Sequence, residues 1–179
     1  LDVIRDLRQR GIHCTTSGAD LAARNGHLEV IHELRAHDID CTTEGANWAA
    51  VAAHLEVIRD LRAQGIFCSS HGANLAAGNG HLHVVRELRD DGIHCTSDGA
   101  YRAAKNGHLD VFRDLRVHGI QCTPFAAELV AANGHLEVLR DMRAYGRRIS
   151  SGVANEAAGG GHMNIIHDLR AIGIDCTQT

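Results

Sequence analysis

Ala22-Ala23-Arg24-Asn25-Gly26-His27-Leu28-Glu29-Val30-Ile31 is the stretch whose reading decides the fold. The two small alanines close one apolar helix face. Asn25 and Gly26 both tolerate positive φ and mark a tight turn. Leu28, Val30 and Ile31 then open a second apolar face at helical spacing. The same punctuation returns with a fixed period, because His27, His54, His81, His108, His135 and His162 lie 27 residues apart. Leu28, Leu55, Leu82, Leu109 and Leu136 follow these histidines, with Leu1 and Met163 in the same slot. Cys14, Cys41, Cys68, Cys95, Cys122 and Cys176 keep the period too, and Ile149 fills the one missed place. A constant period of this length marks an array in which most recurring residues pack one copy against the next. Function is therefore sought in what varies.

Counted from the residue after each histidine, the chain reads as one array with copies at 1–27, 28–54, 55–81, 82–108, 109–135 and 136–162 and a partial copy at 163–179. Positions 1, 3, 4 and 7 are apolar, as in Leu28, Val30, Ile31 and Leu34, and define an amphipathic first helix. His27 or Asn25 is a candidate cap for it. Gly11, Gly65, Gly92, Gly119, Gly146 and Gly173 terminate it, with Asp38 the exception. Ile and Cys at positions 12 and 14 form an extended apolar plug between layers. Thr or Ser at position 15 offers an N-cap to a short second helix carrying Ala at positions 19, 22 and 23. Pro124 falls at the start of such a helix, where a missing N–H costs little. Neither helix can bury its apolar face alone, so the expected fold is all-α, a solenoid of stacked helix-turn-helix repeats. The array begins and stops inside a repeat, so it is expected to be a segment of a longer protein.

The chain has 179 residues, 44% of them hydrophobic, and no apolar run of membrane-spanning length. Its formal charge of −4 disfavours a protein that neutralises many phosphates. The 6 cysteines are read as reduced, small core residues, since equivalent positions on stacked helices sit about 8–10 Å apart while a disulfide needs Cα atoms within roughly 7 Å. Reduced thiols fit an intracellular, reducing compartment.

The segment A-A-x-N-G-H-L-E-V-[IV], quoted above and recurring closely at Ala76–Val85 and Ala131–Leu139, resembles the ankyrin repeat. The resemblance runs the length of the chain and implies ankyrin-like stacking. The period is shorter than the ankyrin 33 residues and lacks the T-P-L-H opening. The missing residues fall between the position-11 Gly and the Ala-Ala pair, so the projecting hairpin is expected to be lost, leaving short connections. Position 6 is also always Asp or Glu, where the ankyrin helix usually carries Leu.

That acid belongs to a charge pattern. Asp6, Glu33, Asp60, Glu87, Asp114, Asp141 and Asp168 occupy position 6, and Arg8, Arg35, Arg62, Arg89, Arg116, Arg143 and Arg170 occupy position 8. On the helical wheel they flank the apolar face on opposite sides. Stacking then brings an acid of one copy towards an Arg of the next, Asp60 towards Arg89 for instance. Interleaved acids argue against a free Arg stripe for phosphates.

Positions 17, 20, 21 and 24 vary most and lie opposite the Ala face of the second helix. They are expected to form one continuous, concave surface, with positions 10 and 13 beside it. Trp48, Phe67, Tyr101, Phe125 and Tyr145 all sit at variable positions, as interface anchors do. Trp48, Phe67, His71, Asn74, Asp98, Tyr101, Arg102, Lys105, Phe125 and Glu128 are therefore the candidate partner-binding residues. They point to a noncatalytic scaffold that binds another protein. A modular nucleic-acid reader is the alternative, but the acidic charge disfavours a nucleic-acid partner, and no membrane partner is expected. Cys–His pairs repeat in nearly every copy, whereas an enzyme needs one asymmetric site, so no catalytic residue, metal site or cofactor is expected. The copy at 136–162 is the outlier: Arg147-Arg148-Ile149 replaces Ile-x-Cys, marking a kink, a looser joint or a local contact site.

Overall fold

The computed structural model describes residues 6, 9, 13–123 and 125–176. Leu1, Arg8, Gly11 and Pro124, used in the sequence argument, lie outside the described residues. The described elements are all α-helical, and no strand occurs among them. Second helices of successive copies are α1 (Thr16–Arg24), α3 (Thr43–Val51), α5 (Ser70–Gly78), α7 (Ser97–Lys105), α9 (Ala126–Ala132) and α11 (Ser151–Gly159). First helices are α2 (Leu28–Arg35), α4 (Leu55–Ala63), α6 (Leu82–Asp90), α8 (Leu109–Val117), α10 (Leu136–Ala144) and α12 (Met163–Arg170). The second helix is in most copies not the shorter of the two, since α3 and α4 each run 9 residues; α9, with 7 residues against 9 in α8, is the exception. The connections are short and carry no hairpin, as the reduced period implies.

Two compact units are formed, one by the described residues of Leu1–Ala76 and His83–His94, the other by those of Ala77–Leu82 and Cys95–Thr179. In the first unit α1 packs along α3, and in the second α7 and α11 each pack against α9. Alanines make that close approach possible. Ala19, Ala22, Ala23, Ala46, Ala49 and Ala50 are buried, as are Ala100, Ala103, Ala104 and Ala131. The first helices contribute the large apolar side chains, with Ile31, Leu34, Val57, Leu61, Val111, Leu115, Ile165 and Leu169 fully buried. Position 1 is weaker than its periodicity suggests, because Leu28, Leu55, Leu109 and Leu136 are only half-buried and Met163 is exposed.

Thr15, Thr42, Thr96 and Ser150 stand at the N-caps of second helices, as expected, and Thr42 and Thr96 accept the N–H of Glu44 and Asp98. Each first helix ends on a left-handed residue. Gly65 has φ +79°, and Ile66 N–H returns to Leu61 O at 2.9 Å to close the last turn. Asp38 takes the same conformation at φ 60°, and Ala53 does so at φ 62° in the turn that reads Asn-Gly or Gly-Gly in the other copies. Both are non-glycine residues in a strained region. The expected capping by His27 or Asn25 does not occur: the side chains of His27, His54, His108, His135 and His162 cap nothing in their own helices.

Candidate functional site

Most of each repeat is spent on its neighbour, and this defines what is left for a partner. The position-27 histidine reaches back to the preceding second helix, where His162 Nε2 donates to Ala132 O at 2.8 Å. Position 25 does the same, with Asn106 Nδ2 donating to Gly78 O at 2.7 Å and Asn133 Nδ2 to Lys105 O at 3.1 Å. These carbonyls end helices and lack intrahelical partners, so the recurring Asn-Gly-His satisfies the copy before it. Burial lowers the His135 pKa, its hydrogen bond to Lys105 opposes that weakly, and His108 and His162 add repulsion.

The cysteines plug the layers. Cys41 Sγ donates to Ala19 O at 3.3 Å and Cys68 Sγ to Ala46 O at 3.1 Å. All six described cysteines are free thiols, and burial raises Cys41 to about 11 and Cys68 to about 12, so neither is a thiolate nucleophile near neutrality.

The charge pattern forms inter-repeat ion pairs, with the direction reversed from the expected one. Asp60 does not turn to Arg89 of the following copy. It accepts from Arg35 at 2.7 Å and His32 at 2.8 Å, both in the preceding copy. Arg59 grips Glu87 through Nε and Nη2, each at 2.8 Å. Arg113 and Arg116 both hold Asp141, and Arg140 and Arg143 both hold Asp168. The reason is geometric: the flank carrying positions 5 and 8 faces the following copy and the flank carrying position 6 faces the preceding one, so positions 5 and 8 of one copy reach position 6 of the next. Burial alone would raise Asp60 and Asp168, but their Arg partners bring both below the usual carboxylate range, and the Arg59 hydrogen bond lowers Glu87. These arginines are already neutralised.

The structure divides the expected surface. Asn74 is only 6% exposed and is no surface residue, and Asp20 and Asn47 at the same position are buried too. Asp20 Oδ1 and Oδ2 accept from Thr42 N–H at 2.7 Å and Thr42 Oγ at 2.8 Å. Asn47 Oδ1 accepts from Ser69 N–H at 2.9 Å and Ser69 Oγ at 3.1 Å. Position 20 is thus a clamp on the next copy's N-cap. A methyl added at Gly45 or Gly72 would collide with Asp20 or Asn47. Where Tyr101 and Glu128 replace the Asp or Asn, both are half-buried, and the following glycine has become Ala126 and Val153. That pairing was present in the sequence as a correlated change and is the signal the variability argument missed.

Positions 17, 21 and 24 lie at least partly open on most second helices, the exception being Gly78 of α5, which is buried under Arg102 of the next copy. In the first unit His71 is exposed, Phe67 is 49% exposed, and Trp48 is half-buried with the Arg24 guanidinium 5.8 Å from its ring centroid. In the second, Asp98, Arg102 and Lys105 share a face of α7. Arg102 Nε bonds Asp98 at 2.7 Å, and Lys105 is exposed. Phe125 is 71% exposed, more open than Phe67. The described residues contain no group of three His, Cys, Asp or Glu arranged to hold a metal, and no helix among them is long and apolar enough to cross a membrane.

The outlier copy creates a feature absent from the candidate residues. A cavity of about 700 Å³ lies between α8 and α10, lined by Phe112, Met142, Tyr145, Arg116, Arg147 and Arg148 among others. Arg147 occupies the slot held elsewhere by Ile39, Ile66, Ile93 and Ile120, and its Nη2 donates to Cys122 O at 3.0 Å. The break in the repeat at Arg147-Arg148-Ile149 marked this place in the sequence. The cavity itself is not readable there.

No family profile matches the chain, and no curated protein matches it. Solved structures do. Two are crystal structures of the pentatricopeptide repeat protein PPR10 in complex with an 18-nucleotide psaJ RNA element, one of them carrying three cysteine-to-serine substitutions. Each matches at 17% identity with a TM-score of 0.46 and covers 95% of this chain, which spans 31% of the length of those proteins. The chain is a helical-repeat protein. The expectation that nucleic acid is disfavoured as a partner is corrected here, since both of these helical-repeat structures are RNA complexes.

Proposed function

We propose that this chain is a noncatalytic, modular recognition protein whose partner is a single-stranded nucleic acid, one copy addressing one base. The observation that carries the reading is the division of labour within each repeat. Histidine, asparagine, cysteine, glycine, position 20 and the paired arginines are used between copies, leaving positions 17, 21 and 24 as the variable triplet of the second helix that no neighbouring copy requires. Two or three side chains per helical repeat suffice to read one base. The acidic net charge is compatible, because stacking on rings such as Phe125, Trp48 and Phe67 supplies about 1–3 kcal/mol per base without neutralising phosphate. The repeat keeps its ankyrin-like turn segment, and its free thiols support a reducing compartment.

The test is fluorescence anisotropy of the chain with a labelled pool of single-stranded RNA across a salt series. Arg24 and Lys105 are the exposed cations of the variable row that bond no carboxylate among the described residues. Two phosphate contacts give a log–log salt slope of about −1.4 for a single strand, and Phe125→Ala weakens binding. Absence of binding at low salt, with capture of a protein through the same residues instead, contradicts the reading.

A further inference from the structure

The cavity between α8 and α10 is built differently from the rest of the array. Its floor is apolar, with Phe112 and Met142 both buried. Its side is a stacked pair, the Arg116 guanidinium lying 3.2 Å from the Tyr145 ring centroid, while Tyr145 itself is 66% exposed. Arg116 is held in place by Asp141. At the other end stand Arg147, anchored on the Cys122 carbonyl, and Arg148, which is exposed and has no hydrogen bond or ion pair among the described residues. Three arginines and no acid line the cavity, in a chain whose formal charge is −4.

The copies that keep isoleucine at this slot bring an aliphatic side chain to the layer. Arg147 instead brings a cation, and Arg148 sets a second one beside it. An Arg pair recognises the oxygens of a phosphate by charge-assisted, bidentate bonds. A guanidinium stacked on a tyrosine presents a flat, fixed edge that suits a planar heterocycle. A volume of about 700 Å³ lies in the range of small-molecule sites. Together these give an apolar floor, a planar wall and an anion-binding end.

We propose that this cavity binds a nucleoside monophosphate, with the base against Tyr145 and Arg116 and the phosphate on Arg147 and Arg148. The same chemistry is offered by a free nucleotide and by the 5′-phosphorylated end of a strand. The site is separate from the variable second-helix row, and only its strand-end form rests on the single-strand reading above.

Calorimetric titration of the whole chain tests it, with adenosine monophosphate, adenosine, inorganic phosphate, and a short oligoribonucleotide with and without a 5′-phosphate. The monophosphate binds at least about tenfold more tightly than adenosine or phosphate alone. Arg148→Ala, an exposed change, loses about tenfold, and Arg147→Ile, which restores the residue of the other copies, abolishes binding while the melting curve stays cooperative. A gain of similar size on phosphorylating the oligonucleotide identifies the strand end; a gain for the free nucleotide alone identifies the small molecule. Equal binding of the monophosphate and its two fragments, or monophosphate affinity untouched by both variants, overturns the proposal. In that case the unphosphorylated oligonucleotide still reports the second-helix surface independently.

Discussion

Asn47 and Gly72 offer the sharpest test of how neighbouring copies lock together. Asn47 Oδ1 is the acceptor for both Ser69 N–H and Ser69 Oγ, and the Asn47 side chain occupies the space a methyl at Gly72 would need. In Asn47→Ala the Ser69 hydroxyl can turn to water, but its part-buried N–H loses its acceptor, a cost of about 1–3 kcal/mol. In Gly72→Ala the new methyl meets the Asn47 carboxamide, with Asn47 Cγ only 3.0 Å away. Overpacking costs about 1–3 kcal/mol, offset by about 1 kcal/mol of helix propensity. Combining the two removes the side chain that the methyl strikes. The double variant is therefore less destabilised than the sum by about 1 kcal/mol or more, as expected for residues in contact. The second unit likewise changes both positions together, Tyr101 going with Ala126 and Glu128 with Val153. Trp48, the sole tryptophan and the next residue to Asn47, reports the local transition in urea. Additivity within about 0.3 kcal/mol would refute the clamp.

Three further outcomes follow from the same contacts. Acid weakens the array in two stages. His135 is depressed below its ordinary value by burial, so its contribution is complete above about pH 6.5 and declines as pH falls through its folded value; the lowered Asp60, Glu87 and Asp168 hold theirs until below about pH 4. Melting midpoints across pH and an NMR titration of His135 check both windows, and a rise in stability on acidification between pH 7 and 5 contradicts them. Asp141, only 4% exposed on its side chain and held by Arg113 and Arg116, is worth about 3 kcal/mol against Asp141→Ala by chemical denaturation, because the change strands a partly buried Arg116. Ala53→Gly, at φ 62°, raises stability by about 1 kcal/mol in thermal unfolding, and a loss of that size would show that the turn is not strained.

The repeat architecture was open to sequence reading because its signals are local and repeated. The apolar spacing of Leu28, Val30, Ile31 and Leu34 gave the first helix, the glycines gave its end, and Thr42 and Thr96 gave the next start. The ion pairs were readable as pairs but not in direction, because the wheel places Asp60 on a flank without saying which neighbour reaches it. The hand in which the copies stack decides that in favour of Arg35. Asn74 was misplaced for a different reason. Position 20 varies and sits on the polar side of its helix, yet it is buried against the next copy, as Asn47 is by Ser69 from 22 residues away. Variation there tracks a glycine in the following copy rather than a partner. The cavity beside Arg147 depends on what two copies fail to fill between them, and no single window of sequence contains that.

The variable triplet is the heart of the functional account. Selection of bound sequences from a randomised single-stranded RNA pool tests it most directly, comparing the parent chain with one in which positions 17, 21 and 24 of α7 (Asp98, Arg102 and Lys105) are exchanged for those of α9 (Phe125, Leu129 and Ala132). The account predicts an enriched motif that changes at a single base between the two. A pool that is not enriched at all, or a motif that changes throughout, contradicts it.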